Sequence, residues 1–407
     1  MMDAALNERQ SKVDWLLLLA VLGLMAFGMA FIFSATMANE AARVQPWYQQ
    51  RFFMQLVWYG FGFTAATVLS LWHYRQIAGL AYFAYWASII LLVAVLIPHV
   101  GAMRFGARRW IDLGPIQLQP SELAKLAFIV AQACYLSLHH HELNRPSVLW
   151  KAIGMTVLPF VLVLKEPDLG SALIFLPVGL VMILVAGASR RFLALFGIVG
   201  GGLVSLMIIY ALFAPASWWQ LPIQDYQKRR LKVYFGLDYT KFAPPNATAA
   251  EWQRLRVQQQ NDEYNSRQAL ISVGSGGLTG KGWRQGSQIA LGYLPRAVAH
   301  NDFIFSVIAE ESGFVGSMCV ITLYGVVLFT GIRIASRVRN GDHLGKLLAV
   351  GVVTLLFSHV FINIGMNIRI MPVTGVPLPL LSYGGSSVLC SLIAIGLLQN
   401  IHLHQRA

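Results

Sequence analysis

The sequence predicts an all-α polytopic membrane protein with about ten transmembrane helices and a large extracytoplasmic loop between the seventh and eighth. Of its 407 residues, 56% are hydrophobic and only 12% are charged, a composition typical of multi-span membrane proteins. Apolar runs long enough to cross a bilayer recur along the chain, and one polar segment, residues 214–301, interrupts them. We therefore treat residues 1–407 as a single membrane domain that contains this loop.

Hydropathy and helix length define the predicted spans. They cover residues 15–37, 52–72, 77–98, 123–138, 150–164, 171–185, 192–213, 303–331, 347–364 and 388–401. The first run is longer than the core of a signal peptide, which favours a retained span. The fourth to sixth runs are shorter than the roughly 20 residues that a membrane helix needs, so their boundaries are approximate and one pair could be re-entrant.

The basic residues of the short loops predict the orientation of the chain. An even number of spans puts both termini on one side, and the short loops of that side hold twelve Lys and Arg residues against seven on the other. Basic loops stay in the cytoplasm, so both termini are predicted to be cytoplasmic. Residues 214–301 are left out of the count, because long loops cross the membrane largely regardless of charge; they are then outside.

The net charge and the cysteines exclude several classes of function. The formal net charge is +13, but the basic residues are spread over loops and form no single face, which argues against nucleic acid as a partner. An anionic membrane surface or a phosphorylated lipid fits this distribution better. The three cysteines all lie in apolar runs, so they are predicted to be small buried side chains without disulfide or metal.

Residues 300–316 contain the strongest candidate for a functional site. Asp302 stands where the polar segment ends and an apolar run begins, and Glu310 and Glu311 follow about two helical turns later. Ionisable side chains at such a depth are costly unless they face the interior of the bundle or a water-filled cavity, so they indicate function. The alternative for Asp302 is a helix cap, because a carboxylate also suits a helix N-terminus.

A second polar cluster lies between the third and fourth predicted spans. Arg109 belongs to it, and Ser121, directly after a proline, is predicted to cap a helix. Glu122 and Lys125 are then on one face of that helix. The alternative for these two residues is an ordinary surface ion pair.

Four more segments are polar or rich in glycine and proline. Asp168 lies in the short outer loop 165–170, and residues 372–387 precede the last span. Residues 274–282 are glycine-rich and include Lys281, but they lack the spacing of a P-loop, which leaves either an anion-binding loop or a flexible turn. Residues 139–142 are read as a solvated loop and not as a metal site. All clusters except the last are predicted to meet Asp302 on the outer face.

Several motifs occur along the chain in a fixed order: Arg109-Trp110, Pro120-Ser121-Glu122 with Lys125, Glu166-Pro167-Asp168-Leu169-Gly170, Gly280-Lys281-Gly282 with Gln288, Leu294-Pro295, residues 300–305, Pro377-Leu378-Pro379 and residues 382–387. With these motifs the sequence resembles the SEDS family of bacterial shape and division proteins over nearly its whole length. Within the family, residues 362–366, which include Asn363, and residues 372–375 resemble the RodA type more than the FtsW type. Asn301 departs from the family pattern, which usually has Thr between the His and the Asp.

This resemblance implies a peptidoglycan glycosyltransferase of cell elongation in the bacterial cytoplasmic (inner) membrane, which polymerises lipid II. It implies a class B penicillin-binding protein and other cell-elongation machinery as partners. Asp302 would then be the catalytic base, and Arg109, Lys125 and Lys281 would bind the diphosphate of the substrate. Glu122 and Asp168 would either orient these cations or hold a divalent cation, Mg²⁺ or Mn²⁺.

Two other classes of function compete with this one. A lipid II flippase would use a similar site for the lipid headgroup, but alternating access predicts ionisable groups near the midplane and on both faces. The polar clusters predicted here lie on one face. A non-enzymatic scaffold would have no need of an acid surrounded by cations.

Overall fold

The computed structural model describes residues 13–37, 44–98, 100–104, 107–114, 116–213, 225–242, 248–295 and 298–404. This part of the chain is mainly helical, which confirms the predicted fold class. The helices, in chain order, are α1 Trp15–Met37, α2 Arg51–Leu71, α3 Tyr74–Gly79, α4 Ala81–Leu96, α5 Pro120–Leu138, α6 Pro146–Lys165, α7 Leu169–Ala186, α8 Arg190–Phe213, α9 Asp225–Tyr234, α10 Ala249–Ser275, α11 Ser287–Ala290, α12 Ile304–Arg337, α13 His343–Asn367 and α14 Gly385–His404.

Each of the ten predicted spans coincides with one of these helices. Eight of them are long and apolar enough to cross a membrane. The other two are α4, which is apolar but has only 16 residues, and α8, which has 24 residues. The short fourth to sixth predicted spans become helices of 19, 20 and 18 residues. The residues added to α5 include Ser121 and Glu122, and those added to α6 include Ser147 and Lys165, polar side chains that hydropathy does not count as part of a span. The third span begins later than predicted, since α3 forms a separate short helix before it.

Close helix packing in the bundle depends on small residues, as is common in membranes. A Cβ at Gly396 of α14 would lie 2.7 Å from the Cα of Ala66 in α2. A Cβ at Gly62 of α2 would lie 2.5 Å from the Cδ1 of Leu392. At Gly396 the two helices therefore approach closely enough for backbone contact, and the Leu392 side chain fills the space beside Gly62.

A small β-sheet between α4 and α5 is absent from the sequence prediction. Strands β1 Ala102–Arg104, β2 Ala107–Leu113 and β3 Ile116–Leu118 pair antiparallel in that order. Short strands that pair with their neighbours leave little periodicity to detect, and Gly114, with φ +78°, permits the second turn. The sheet matters for function because Arg109 lies on β2.

The outer loop is largely helical. Helix α9 leads to a 3₁₀ turn at Tyr239–Phe242, and then to α10, a helix of 27 residues. A reciprocal pair of hydrogen bonds between Thr248 and Glu251 caps α10. This helix continues to Ser275, so Gly274, predicted to lie in the glycine-rich loop, is helical. Residues 214–224, 243–247 and 296–297 of the predicted loop lie outside the described part.

Polar contacts collect in two layers at opposite ends of the bundle. One layer joins the N-terminal end of α1 to the end of α12 through an ion pair of Asp14 with Arg333, and the rings of His140 and His343 are 4.2 Å apart in it. In the other layer the guanidinium of Arg51 contacts the His300 ring. Asp302 and most of the clusters predicted to accompany it belong to this second layer. The glycine-rich loop packs instead against α12, where the amides of Lys281 and Gly282 donate to the carbonyls of Glu310 and Glu311.

Candidate active site

Asp302 lies in a tight turn directly before α12. Its amide donates to the carbonyl of Val298 at 3.0 Å, as does the amide of Asn301. The N-cap residue of α12 is Phe303, and no side-chain hydrogen bond caps this helix. The alternative that Asp302 serves only as a helix cap is therefore not supported, and its carboxylate is left for another purpose.

The main chain around Asp302 is held by side chains from two other elements. Its carbonyl accepts hydrogen bonds from the side-chain amides of Asn363 at 3.0 Å and Asn367 at 3.1 Å. The Ser382 hydroxyl donates to the Asn301 carbonyl at 2.6 Å and accepts from the amide of Leu378 at 2.8 Å. The turn is thus fixed against both α13 and the segment before α14.

Gly375 faces the Asp302 carboxylate. Its φ of +77° is in the left-handed region, and a Cβ there would lie 3.4 Å from Asp302 Oδ2. This value is an ordinary van der Waals distance, so the glycine is required by its backbone conformation and less by lack of space. The loop that contains Gly375 therefore forms one wall beside the carboxylate.

The surroundings raise the pKa of Asp302 from 3.8 to about 6. Loss of hydration is the main cause, and the negative charge of Asp168 adds to it. The positive charges of Arg230 and Arg109 act in the opposite direction. The residue is mostly buried but keeps some exposure, so a substrate can reach it. A carboxylate with such a pKa is ionised at neutral pH and is a better proton acceptor than an ordinary aspartate.

Arg109 is braced against the loop that contains Asp168. Its Nε donates to the carbonyl of Glu166 at 3.3 Å, and its Nη2 donates to the carbonyl of Pro167. Its Nη1 is 3.9 Å from Asp168 Oδ1. One fifth of its side chain is exposed, so an anion can approach the guanidinium.

Asp168 is held from both sides, as an orienting residue should be. Its Oδ1 accepts from the amide of Ser171 at 3.1 Å and caps α7. Its Oδ2 accepts from Gln119 Nε2 at 3.2 Å. Of the two roles considered for Asp168, orientation of Arg109 is the one that these contacts support.

Glu166 is a buried acid that the sequence prediction did not nominate, although its motif was noted. It is 0% exposed, and both carboxyl oxygens have no hydrogen-bond partner among the described residues. Burial, assisted by the charge of Asp168, raises its pKa to about 9. The only sequence signal was its place two residues before Asp168, which does not distinguish a buried acid from a surface one.

Glu122 and Lys125 form a buried ion pair and not a surface one. The Nζ of Lys125 is 2.7 Å from Glu122 Oε1 and 2.8 Å from Nε2 of His359. The two side chains are only 4% and 2% exposed. A buried pair needs further polar partners to offset the cost of desolvation, and His359 supplies one. The role of His359 was not predicted, because it is more than 200 residues away in the sequence.

The predicted cap of α5 is wrong by two residues. The N-cap is Gln119 and makes no side-chain cap, while Pro120 occupies the first helical turn, where a proline is well accommodated. The hydroxyl of Ser121 is buried and has no hydrogen-bond partner among the described residues. The amide of Gln119 is instead bound by the Ser386 hydroxyl at 3.2 Å, a contact between distant parts of the chain.

Lys281 is engaged inside the protein. Its Nζ is 2.6 Å from Glu310 Oε1 and 2.7 Å from the hydroxyl of Ser287. The other oxygen of Glu310 accepts from Ser272 at 2.9 Å. Glu311 accepts from the Ser34 hydroxyl at 2.5 Å. The two buried acids of α12 are therefore satisfied by the outer loop and by α1, and they tie these elements together.

The geometry does not support a divalent cation held by Glu122 and Asp168. Glu122 is already paired with Lys125, and Asp168 with Arg109, Gln119 and the end of α7. Within the part of the chain that the structure describes, no three His, Cys, Asp or Glu side chains converge to hold a metal ion.

The structure thus groups the predicted residues into three sets. Asp302, Asp168 and Arg109 share one electrostatic environment. Glu122 and Lys125 form a second set inside the bundle, and Lys281 belongs to a third around Glu310. Arg230 in α9 is an addition to the first set, since its charge acts on Asp302. The sequence pointed to it only through the basic run 228–232.

Comparison with known proteins identifies the family. The model of the FtsW, RodA and SpoVE family of cell cycle proteins matches residues 14–407. The chain belongs to this family. It is 36% identical to the peptidoglycan glycosyltransferase MrdB of Escherichia coli over 334 residues, 82% of this chain and 80% of that protein. It is 32% identical to the peptidoglycan glycosyltransferase RodA of Treponema pallidum, covering 97% and 98%.

Solved structures of the family have the same fold. A chain of a peptidoglycan synthase complex that coordinates polymerization and crosslinking superposes with a TM-score of 0.73 at 28% identity, covering 97% of this chain and 98% of that one. The rod shape determining protein RodA of Thermus thermophilus gives a TM-score of 0.62 at 28% identity, covering 96% and 97%. The FtsW, RodA and SpoVE fold is thus shared over nearly the whole chain.

Proposed function

We propose that this chain is a peptidoglycan glycosyltransferase that polymerises lipid II into glycan strands during cell elongation. The observation that carries the proposal is the ionisable carboxylate of Asp302, partly exposed and under the electrostatic influence of Arg109 at one end of a multi-span bundle. Relatives that are peptidoglycan glycosyltransferases match most of the chain, which supports the assignment of the reaction.

Asp302 acts as the base of this reaction. It takes the proton of the acceptor sugar 4-hydroxyl while the oxygen attacks the anomeric carbon of the donor. A β-1,4 bond forms with inversion, and the bond to undecaprenyl diphosphate breaks, so that the diphosphate leaves with the electron pair. A positioned base of this kind contributes about 10²- to 10⁴-fold to the rate.

Arg109 is the main cation for the diphosphate. Its braced guanidinium can donate to phosphate oxygens as negative charge develops on the leaving group. Lys125 and Lys281, the other candidates, are bound to Glu122 and Glu310. Those carboxylates offset much of the positive charge of the two lysines, so we assign them a weaker part in binding the diphosphate.

The proposed partner is a class B penicillin-binding protein, together with other cell-elongation machinery. Support comes from the structural similarity to a chain of a peptidoglycan synthase complex. The proposed location is the bacterial inner membrane, with both termini in the cytoplasm and residues 214–301 outside. The excess of basic residues in the short loops on the side of the termini supports this orientation.

The alternative of a lipid II flippase is favoured by one observation, the buried pair of Glu122 and Lys125 inside the bundle. Transport by alternating access uses buried ionisable groups near the bilayer midplane, whereas Glu122 lies in the first turn of α5. The Lys125 ammonium, however, is only 2% exposed and is bound to Glu122 and His359. We therefore keep polymerisation as the function and use the flippase as the competing outcome of the test.

The test uses the purified full chain, alone and with its penicillin-binding partner, in liposomes that contain labelled lipid II. Glycan polymer is expected from the wild-type chain, and at least about 10²-fold less from Asp302→Asn, which keeps the size of the side chain but cannot accept a proton. Transfer of the labelled headgroup across the bilayer is measured in parallel. Translocation without polymer would establish the flippase, and normal polymer from Asp302→Asn would remove Asp302 as the base.

A further inference from the structure

Helix α13 carries three buried polar side chains on one face. His359, Asn363 and Asn367 are spaced by four residues, which aligns them along the helix. They are 4%, 0% and 0% exposed. Buried polar groups in an apolar helix are costly unless they are hydrogen-bonded, so the partners of these side chains indicate what the helix face is for.

Two of the side chains bind the carbonyl of Asp302. The amides of Asn363 and Asn367 donate to it at 3.0 and 3.1 Å. A carbonyl oxygen has two lone pairs, so both are used. These bonds fix the peptide plane at Asp302 from the side of α13, while the carboxylate remains free to face the Gly375 loop.

The same helix face holds that loop. Asn363 also donates to the carbonyl of Val376 at 2.7 Å, and Nδ1 of His359 is 3.4 Å from the carbonyl of Pro377. These carbonyls directly follow Gly375, which faces Asp302 Oδ2. One rigid helix thus positions both the backbone of the base and the wall opposite its carboxylate.

His359 connects this arrangement to the buried ion pair. Its Nε2 is 2.8 Å from the ammonium of Lys125. An ammonium group has donors only, so Nε2 must accept and the ring proton must be on Nδ1. This tautomer directs the N–H toward the carbonyl of Pro377. The charge of Lys125 therefore fixes a hydrogen bond to the loop beside Asp302.

We propose that Asn363 and Asn367 are positioning residues for the Asp302 base, and that His359 extends the same function to the Glu122 and Lys125 pair. The proposal rests on the proposed function, since it needs Asp302 to act as the base. Ser306 supports it from α12: its hydroxyl donates to Oδ1 of Asn367 at 2.5 Å and orients the amide toward Asp302.

The test compares steady-state polymerisation by Asn363→Ala, Asn367→Ala and Ser306→Ala with the wild-type chain over a range of pH. Loss of an amide lets the carboxylate move, and misplacement by about 1 Å can cost about 10²-fold. We expect kcat to fall by this order for the asparagine variants and less for Ser306→Ala, with KM for lipid II nearly unchanged. The acidic limb of the pH profile should also move, because the distance from Asp302 to Arg109 changes.

The matched control is Ser358→Ala. Ser358 is buried in the same helix, but its hydroxyl donates to the carbonyl of Thr354 at 2.7 Å and does not contact the site. A structural role alone would lower the melting temperature and the active fraction without moving the acidic limb. An unshifted limb in the asparagine variants, or losses equal to those of Ser358→Ala, would overturn the proposal.

Two further measurements keep the outcome clear. If Asn363→Ala and Asn367→Ala do not fold, the more conservative Ser306→Ala tests the proposal in their place. A wild-type kcat and a wild-type pH profile in Ser306→Ala would then overturn the positioning role. Asp302→Asn is assayed alongside. Normal polymerisation by Asp302→Asn would refute the proposed role of Asp302 as the base. An inactive Asp302→Asn together with fully active Asn363→Ala and Asn367→Ala would refute only the positioning role of the two asparagines.

Discussion

The pKa of Asp302 makes the reaction sensitive to acid. Its pKa of about 6, raised mainly by burial, means that the carboxylate is protonated below that pH. Only the ionised form can accept a proton, so polymerisation should fall about tenfold per pH unit below about pH 6. The measurement is the initial rate of glycan synthesis at saturating lipid II between about pH 5 and pH 8. A limb near the pKa of an ordinary aspartate, about 3.9, would contradict the environment described.

Arg109 is expected to act on the rate and not on folding. Arg109→Ala should lower polymerisation by about 10²- to 10³-fold, the cost of removing one preorganised group that stabilises developing charge. It should also raise the pH of the acidic limb, since Arg109 lowers the pKa of Asp302. Arg108→Ala is the control, because successive residues of a strand point to opposite faces. Equal rates in the two variants would show that Arg109 does not stabilise the diphosphate.

Glu166 is expected to make stability depend on pH. The pKa in the folded state, about 9, is above the ordinary value of 4.5, so the folded chain binds a proton that the unfolded chain releases. The stabilisation is complete below about pH 4.5 and is lost as the pH rises toward about 9. Glu166→Gln is neutral at every pH and should show a flatter decline of melting temperature over this range.

The matched control for Glu166 is Glu142→Gln, a change at a residue whose side chain is 43% exposed and pairs with Arg145. It should leave the pH dependence of melting as in the wild-type chain. Parallel curves for Glu166→Gln and wild type would show that Glu166 is ionised in the folded state and that another group satisfies its oxygens.

At the scale of single residues, the sequence identified the acids and cations but not their partners. Asp302 could be predicted because a carboxylate at the start of an apolar run is conspicuous. The pairing of Lys125 with His359 and of Lys281 with Glu310 could not, since partners so distant in sequence meet only through the packing of the bundle. Arg230 and the asparagines of α13 were missed for the same reason.

At the scale of elements, the glycine-rich loop and α12 form one unit. Gly313 interrupts the helix with φ 65° and ψ −159°. The amides of Phe314 and Val315 donate instead to the carbonyls of Gly277 and Leu278, at 2.9 and 3.1 Å. The loop thus replaces hydrogen bonds that the break removes. From the sequence, this segment was interpreted as an anion-binding loop or a flexible turn. Its packing on α12 could not be predicted, because hydrogen bonds between main-chain groups leave no pattern in the side chains.

Gly280 should be the most sensitive position of this unit. Its φ is +81°, and a Cβ there would lie 2.2 Å from the carbonyl oxygen of Glu311. Gly280→Ala must therefore shift the loop away from α12 and lower the melting temperature. Gly274→Ala is the control, because Gly274 is helical and has nothing within 4 Å of its Cβ position. It should be neutral or slightly stabilising, by up to about 1 kcal/mol.

These two glycines lie in one short segment and differ only in backbone conformation and surroundings. Equal melting temperatures of Gly280→Ala and Gly274→Ala would show that the loop does not pack on α12 as described. Polymerisation should be reduced in Gly280→Ala, since Lys281 and its bond to Glu310 would move with the loop.

At the scale of the whole molecule, the bundle was predictable and its details were not. Long apolar runs specify helices through hydropathy alone, which is why all ten predicted spans coincide with helices. The small sheet escaped because its strands are short and its pairing depends on tight turns. Hydropathy also explains why polar contacts separate into two layers. Charged side chains are costly in the hydrocarbon core, so the loops that carry them lie at the two membrane surfaces.

The two layers allow a direct test of orientation. Gln258 is exposed on α10 of the outer loop, and Asn340 is exposed between α12 and α13 in the layer that holds Asp14 and Arg333. The excess of basic residues on the side of the termini predicts that the Asn340 layer faces the cytoplasm. Cysteine is placed at each position in a chain whose Cys134, Cys319 and Cys390 are changed to alanine. A membrane-impermeant thiol reagent should label Gln258→Cys on intact spheroplasts and Asn340→Cys only after lysis, and the reverse pattern would invert the proposed topology.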